Sequence, residues 1–113
     1  MLPKLNRISS SFDIRRLQRL GKHYHFPLLN LTISKNALDH SRFVFIVPKK
    51  LDKRAVRRNR TKRLLREAVH ALLPEIAPGY EVGMYARRIL GEEKLENIIL
   101  EINESFRKAG LIG

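Results

Sequence analysis

The sequence predicts an α+β fold, an α/β sandwich in which helices pack on a central sheet. Three segments carry the β-branched and aromatic residues typical of strands, and three others carry apolar residues at helical spacing. The patterns follow one another as α, β, β, α, β, α, with the first β region split or bent. The chain has 113 residues, which is room for a single domain, 1–113, with a modest core.

The first helix is predicted at about 11–20. Ser10 is a candidate N-cap, and Asp13 is placed three residues later to close a capping box. The apolar residues that recur near helical spacing are Ile14, Leu17 and Leu20. Gly21 is a plausible stop for this helix.

Three strands are predicted. Residues 26–34 alternate loosely between apolar and polar side chains. Residues 42–47 form an aromatic and β-branched run that ends at Pro48, and this is the strongest strand signal in the chain. A third strand at 80–86 follows the turn at 78–79.

The strongest helix pattern covers residues 56–73 and stops at Pro74. Its apolar stripe consists of Leu64, Leu65, Ala68, Val69 and Leu72, with Thr61 extending it backward. At about 100° per residue, the opposite side carries Asn59, Arg63, Arg66 and His70. One face is therefore predicted to join the core and the other to remain outside it.

A final helix is predicted after Gly91. Glu92 and Glu93 suit its positively polarised N-terminus, and Gly110 is the expected C-terminal cap. Its apolar stripe consists of Leu95, Ile98, Ile99, Ile102 and Phe106.

Positive charge is concentrated in one segment. Residues 49–66 contain ten basic side chains and one acid, Asp52, so this window carries +9 of the chain's net charge of +12. Clustered cations indicate a docking surface for phosphates, whereas a solvated basic helix is the simpler alternative. The overlap with an amphipathic helix favours nucleic acid, with an anionic membrane surface as the next candidate.

Several classes of protein and site are excluded by composition. The absence of cysteine rules out disulfides and thiolate metal sites, and no apolar run reaches the roughly 18 residues of a membrane span. The N-terminus lacks the apolar stretch of a secretory signal, so a cytoplasmic protein is expected. No histidine pair has helical metal-ligand spacing, and neither a glycine-rich phosphate loop nor a catalytic serine motif is present. The chain alone does not resemble an enzyme.

Two ambiguities remain at the level of the residues. Asn59 can cap a helix beginning at about 60, or it can serve as a ligand for a base edge or a hydrated metal ion. Phe43 and Phe45 can form a stacking platform for unpaired bases or belong to the core. A helix-turn-helix reader of DNA is disfavoured, because that motif requires a helix where residues 42–47 predict a strand.

The segment VPKKLDKRAVRRNRTKRLLRE, residues 47–67, resembles the signature of the bacterial ribonuclease P protein subunit. In that signature a strand ends in Lys-Lys, and a basic helix that contains the triplet Arg-Asn-Arg follows. Here the two lysines are residues 49–50 and the triplet is residues 58–60. The resemblance continues through residues 7–21 and 80–88. It implies the order α-β-β-β-α-β-α with a left-handed βαβ crossover.

The resemblance also implies a function. The family's protein binds a catalytic RNA, which removes the 5′ leader of precursor tRNA with Mg²⁺ bound mainly by the RNA subunit. The protein would contribute no catalytic residue and no metal site, and neither a membrane nor DNA is expected as a partner. A ribosomal or assembly RNA-binding protein without a part in cleavage is the alternative.

The resemblance assigns candidate site residues. Those expected to face RNA are Lys49, Lys50, Lys53, Arg54, Arg58, Asn59, Arg60, Lys62, Arg63 and Arg66. The candidates for a cleft that holds the leader are Phe12, Ile14, Phe26 and Phe45. This sequence departs from the family pattern at Ile14, Gln18, Asn30 and Pro48. Either the cleft is less aromatic than usual, or Phe12, Phe26 and Phe45 substitute for the missing aromatic residues.

Overall fold

The computed structural model describes residues 2–113 and contains a four-stranded sheet with helices on both faces. The helices are α1 (Ser11–Leu20), α2 (Ala55–Leu72) and α3 (Leu95–Lys108). The strands are β1 (Lys22–His25), β2 (Leu29–Lys35), β3 (Arg42–Ile46) and β4 (Tyr80–Ala86). Short 3-10 turns occupy Lys4–Asn6, Lys49–Leu51 and Leu73–Glu75. The order α-β-β-β-α-β-α confirms the predicted α+β class.

The sheet has the strand order β1-β2-β4-β3. β2 pairs antiparallel with both β1 and β4, whereas β3 and β4 are parallel. A parallel pair needs a crossover connection, and α2 provides it between β3 and β4. The left-handed sense of this crossover stays a prediction from the resemblance.

The two faces of the sheet have different partners. Leu31 lies opposite Met84 in the register of β2 and β4, and both belong to the main hydrophobic core with the apolar stripes of α2 and α3. Thr32 lies opposite Gly83 and therefore points to the other face. Helix α1 covers that second face, and its buried Leu17 is separate from the main core cluster.

The predicted buried stripe of α2 is confirmed. Its members are all at most 9% exposed: Thr61, Leu64, Leu65, Ala68, Val69 and Leu72. The helix ends before Pro74, as predicted, because proline cannot supply the next backbone donor. The predicted stripe of α3 is buried at Ile98, Ile102 and Phe106 and half-buried at Leu95 and Ile99.

The prediction for the start of α3 is wrong in one respect. The helix begins at Leu95, so Glu92 and Glu93 precede it, and the acid of its first turn is Glu96. Glu93 instead uses Oε2 to accept a hydrogen bond from the backbone N–H of Gly91, 2.7 Å away. Its carboxylate therefore closes the preceding turn.

The strand predicted at 26–34 corresponds to β2, Leu29–Lys35, and the expected split of the first β region is confirmed, because a separate strand, β1, precedes it at Lys22–His25. Residues 26–28 join the two strands, and the Phe26 N–H closes the turn on the Leu29 carbonyl at 3.0 Å. Pro27 has no backbone donor and interrupts the ladder. The sequence of β1, KHYH, has no apolar alternation, so its local pattern carried no strand signal.

Helix α1 begins and ends where predicted. The Ser10 hydroxyl accepts a hydrogen bond from the Asp13 N–H at 3.4 Å, while the Asp13 carboxylate lies 3.6 Å from Nη2 of Arg42. Gly21 ends the helix at an ordinary φ of −75° rather than in the left-handed region. A Cβ at Gly21 would lie 2.4 Å from the Thr32 methyl group, so close packing on β2 requires the glycine.

The N-terminal segment packs along β3, which no sequence pattern predicted. Leu2 is fully buried, and the Ile8 N–H donates to the Phe43 carbonyl at 2.8 Å. The Asn6 side chain donates to the Ser41 carbonyl at 2.8 Å. Within residues 2–113, none of the helices has the length and apolar character needed to cross a membrane.

Candidate nucleic-acid interface

The outward face of α2 forms a shallow groove of about 540 Å³. We call it the arginine groove; it is lined by Val56, Asn59, Arg60, Arg63 and Arg66. Asn59 and Arg63 are exposed, as the helical spacing predicted. Because α2 begins at Ala55, Asn59 lies inside the helix, and the alternative that it caps the helix is wrong.

Asp52 organises the start of α2. Its Oδ1 accepts hydrogen bonds from the Arg54 backbone at 2.9 Å and from Arg54 Nε at 3.1 Å, and its Oδ2 lies 3.0 Å from Arg57 Nε. The hydrogen bond from the Arg54 side chain, together with that from its backbone, lowers the pKa of Asp52 below its ordinary value of 3.8. A single carboxylate thus holds two guanidinium groups beside the helix N-terminus.

Arg58 has a different environment from its neighbours. Its Nη1 donates to the carbonyl oxygens of Asp52 and Lys53, both at 2.8 Å, and the residue is half-buried. Its guanidinium is therefore turned back onto its own chain and braces the connection before α2. Sequence reasoning expected Arg58 to face RNA like the exposed Arg60.

The remaining predicted cations lie around the start and one side of α2. Lys49 and Lys50 are exposed on the 3-10 turn after β3, and Lys53 and Arg54 are exposed just before the helix. Lys62 is half-buried farther along α2. These residues surround the arginine groove without lining it.

A second concavity of about 180 Å³ lies where the N-terminal segment meets α2. Arg7, Lys62 and Arg66 contribute three cations to its lining, and no acid lines it. The Nε of Arg7 is buried without a hydrogen-bond partner among residues 2–113. Sequence reasoning assigned Arg7 to the family pattern but gave it no role in a site.

The four candidates for a leader cleft do not share one surface. Phe12 is 63% exposed on α1, and Ile14 is half-buried on the same helix. Phe26 and Phe45 pack against the main core on the opposite face of the sheet. Phe45 is paired with buried Met84 in the register of β3 and β4. Because residues paired across strands project to the same side of a sheet, Phe45 points to the core face.

The stacking-platform interpretation is wrong for Phe43. This side chain is 1% exposed, and its ring stacks on Phe106 with centroids 6.4 Å apart. It belongs to the core, which was the other interpretation of the alternating aromatics.

The α1 face of the sheet carries a cleft of about 310 Å³, in which polar side chains stand beside apolar surface. We call it the histidine cleft; it is lined by Gln18, His23, Tyr24, His25, Asn30, Leu31, Thr32 and Tyr85. The Nδ1 atom of His23 lies 3.0 Å from Thr32 Oγ1, and that of His25 lies 3.1 Å from Asn30 Oδ1. These bonds orient both rings and leave Nε2 of each histidine for another partner.

Tyr85 closes one side of the histidine cleft. Its ring crosses Gly83, where a Cβ would lie 3.0 Å from the Tyr85 hydroxyl oxygen. This hydroxyl is buried without a hydrogen-bond partner among residues 2–113. A buried, unsatisfied hydroxyl costs about 1–3 kcal/mol.

Sequence reasoning gave His23 and His25 no role in a site, although it singled out Gln18 and Asn30, which line the same cleft. One signal for the histidines was available. His23 and His25 are two residues apart and would share a face of any strand that contained them. That strand had no apolar pattern to reveal it, so the histidines could not be placed.

The fold and the sites together define a class of small basic α+β proteins in which one helix carries an outward, arginine-rich face. A family model described as Ribonuclease P matches residues 2–110. The chain belongs to this family, the protein component of ribonuclease P, an endoribonuclease of tRNA processing.

Two cyanobacterial relatives, each named ribonuclease P protein component, resemble the chain along nearly its whole length. The protein of Synechocystis sp. is 33% identical over 98% of this chain and 90% of its own. The protein of Microcystis aeruginosa is 35% identical over 98% of this chain and 96% of its own.

Two solved structures share the fold. A Staphylococcus aureus RNase P protein mutant, described as defective in mRNA degradation activity, has a TM-score of 0.85 at 24% identity, covering 96% of this chain and 92% of its own. The RNase P protein of Thermotoga maritima has a TM-score of 0.81 at 22% identity, and the match covers 90% of this chain and 96% of that protein.

Proposed function

We propose that this chain binds the catalytic RNA of ribonuclease P through α2 and the 5′ leader of precursor tRNA through the histidine cleft. The RNA subunit hydrolyses the phosphodiester bond, and the protein raises the affinity for substrate. The observation that carries the proposal is the division of α2 into a fully buried apolar stripe and an outward arginine groove.

The electrostatics of α2 support an anionic partner. Its first turn contains no acid, yet Arg57 and Arg58 lie there. Cations at a helix N-terminus oppose the helix macrodipole, and Asp52 offsets only part of this charge. Guanidinium groups bind phosphate oxygens through paired hydrogen bonds, so phosphates placed along Arg60, Arg63 and Arg66 would offset the positive charge of this helix face.

The histidine cleft supports a single-stranded ligand. Unpaired nucleotides expose base edges that donate and accept hydrogen bonds. His23 and His25 are held in fixed orientations, and the Tyr85 hydroxyl lacks a partner among residues 2–113. The cleft would therefore bind leader bases through hydrogen bonds to the histidines and through contact with the apolar surface of Tyr24, Leu31 and Tyr85, whereas Phe26 and Phe45 are committed to the core.

The Mg²⁺ that the reaction requires is assigned to the RNA partner in this proposal. Residues 2–113 hold no group of three or more His, Asp or Glu side chains placed to share a metal ion.

Reconstitution tests the proposal. The purified chain is mixed with a bacterial ribonuclease P RNA and labelled precursor tRNA, at a Mg²⁺ concentration too low for efficient cleavage by the RNA alone. We expect protein-dependent release of the intact 5′ leader. If the chain binds RNA tightly but does not increase cleavage, even with ribonuclease P RNA from the same organism as the chain, the ribosomal or assembly alternative is favoured.

Leader length tests the histidine cleft separately. We expect His25→Ala to weaken binding of precursor tRNA with a long leader by about three- to tenfold, the loss of one or two hydrogen bonds. Binding of a substrate with a single-nucleotide leader should not change. Lys108→Ala on α3 is the control, and equal loss for both leader lengths would exclude the cleft as the leader site.

A further inference from the structure

Val56 is an apolar side chain in the middle of a cationic surface. It lies on the first turn of α2 and is 80% exposed. Scattered exposed apolar residues are common and need no explanation by themselves. Val56 differs because it separates two concavities, and Arg60 lines both of them.

One of these concavities is the arginine groove, and the other is a cavity of about 260 Å³ between α2 and the loop before α3. We call the second one the Val56 notch; it is lined by Val56, Arg57, Arg60, Leu90, Gly91 and Glu92. Leu90 is 1% exposed and closes its base. The notch is therefore a recess of mixed lining, in which Val56 and Leu90 contribute apolar surface beside the charged Arg57, Arg60 and Glu92.

The walls of the Val56 notch are held together by Thr61. This buried hydroxyl accepts from the Leu90 N–H and donates to the Arg57 carbonyl, both at 3.0 Å. Residues 90 and 91 are thereby attached to the second turn of α2. A recess with anchored walls needs little reorganisation to accept a ligand.

The charges around the notch select the chemistry of its occupant. Arg57 is held by Asp52 at 3.0 Å, and its Nη2 would lie 4.0 Å from a Cβ at Gly91. Glu92 also lines the recess and would repel a phosphate there. An uncharged planar group with an apolar face fits better, since it can contact Val56 and stack on a guanidinium plane.

We propose that the Val56 notch holds one unstacked nucleobase of the RNA bound along the arginine groove. The inference rests on the proposed function, because it requires an RNA strand whose phosphates follow Arg60, Arg63 and Arg66. Such a strand passes Val56 at the N-terminal end of the groove, where a base turned out of its stack enters the recess. Val56 and Arg57 are then specificity-determining contacts for a single-stranded position.

The test compares two exposed apolar residues on different surfaces. The affinity for a bacterial ribonuclease P RNA is measured over a series of salt concentrations for Val56→Ala and for Leu100→Ala, whose side chain on α3 is 67% exposed. We expect Val56→Ala to weaken binding by about five- to tenfold at every salt concentration, since it removes apolar contact and no charge. Leu100→Ala should bind like the wild type.

A charge variant and a chemical probe complete the experiment. Arg60→Gln should reduce the salt dependence of binding, unlike Val56→Ala. Dimethyl sulfate, which methylates unpaired adenine and cytosine, should reveal a position protected by the wild type and by Leu100→Ala but exposed with Val56→Ala.

The outcomes separate this inference from the proposed function. If the wild type binds ribonuclease P RNA tightly and Val56→Ala binds equally well with the same protections, the notch proposal is overturned and the proposed function stands. If the wild type binds unrelated RNAs of equal length as tightly as it binds ribonuclease P RNA, both proposals fall.

Discussion

Individual charged residues in this protein carry separate structural and binding roles. Asp52 forms ion pairs with Arg54 and Arg57, and Glu81 forms one with Arg42. Arg60 and Arg63, by contrast, have no ion-pair partner among residues 2–113. Arg42 bridges Glu81 and Asp13, and hydrogen bonding to Glu81 raises the pKa of Arg42. Side chains paired within the chain have part of their hydrogen-bonding capacity occupied, so the guanidinium groups of Arg60 and Arg63 are the stronger candidates for contact with phosphates.

The Asp52 carboxylate should make stability depend on pH. Its pKa is lowered in the folded state, so its contribution is present above the ordinary value of 3.8 and is lost as the pH falls through the lower folded value. Urea denaturation measures this effect. Between about pH 5 and pH 2.5, the free energy of unfolding should fall less for Asp52→Asn than for the wild type. Parallel curves for the two proteins would contradict this role.

Glu81 should be important for stability. It is 4% exposed and accepts hydrogen bonds from Arg42 Nε and from Asn36, both at 2.9 Å. Glu81→Ala should lower the free energy of unfolding by about 2–4 kcal/mol, because it leaves Arg42 without its main partner. The control is Glu104→Ala, which removes an exposed pair with Lys108 and should cost less than about 0.5 kcal/mol in the same urea titration.

At the scale of elements, the contact between α1 and β2 requires a glycine at the end of the helix. At Gly21 the strand lies too close to the helix for a side chain to fit between them. The same helix forms one side of the histidine cleft through Gln18. The position of α1 on the sheet therefore determines both how closely the helix packs on β2 and how wide the histidine cleft is.

Gly21→Ala should destabilise the protein by about 1–3 kcal/mol through overpacking. The new Cβ would lie 2.4 Å from the Thr32 methyl group and 2.7 Å from the Leu17 carbonyl oxygen. Thermal unfolding measures the effect, with Gly91→Ala as a control whose Cβ meets nothing closer than 4.0 Å. Equal melting temperatures for the two variants would show that α1 can shift away from β2.

Helix α2 should respond differently to substitution on its two faces. Leu65→Ala, at a fully buried position, should cost ~2–5 kcal/mol of stability. Arg63→Ala and Asn59→Ala, at exposed positions, should weaken RNA binding while the melting temperature stays within about 2 °C of the wild type. A large loss of stability in either exposed variant would show that the faces are assigned wrongly.

For the whole molecule, the asymmetry of charge is the dominant feature. The chain carries +12, and most of it lies on and just before α2. The apolar core is formed by the other side of this helix with α3 and the sheet. One helix thus couples the stability of the fold to the presentation of its most basic surface.

RNA affinity should fall steeply with salt, because each neutralised phosphate releases counterions. The double variant Arg60→Gln, Arg63→Gln should reduce the slope of log K against log salt by about 1.4–1.8, the value for two lost phosphate contacts. Lys108→Gln on α3 should leave the slope unchanged. Identical slopes for all three proteins would remove the arginine groove from the interface.

Much of the fold follows from local sequence patterns. The buried stripe of α2, the ends of α1 and the strands at 42–46 and 80–86 depend on side-chain periodicity and on prolines and glycines, which act over a few residues. The clustering of cations on one helix face is equally local. The sequence alone therefore determined the fold class, the outward position of Asn59 and Arg63, and the expectation of a polyanionic partner.

The tertiary structure alone decided which distant residues meet. Strand register brings His25 opposite Asn30 and places Phe45 beside Met84 on the core face. Thr61 joins Leu90 to α2 across 29 positions and so forms the Val56 notch. The direction of Arg58 likewise depends on the path of the preceding loop. Pairing and packing of this kind arise between segments far apart in the chain, and no local periodicity encodes them.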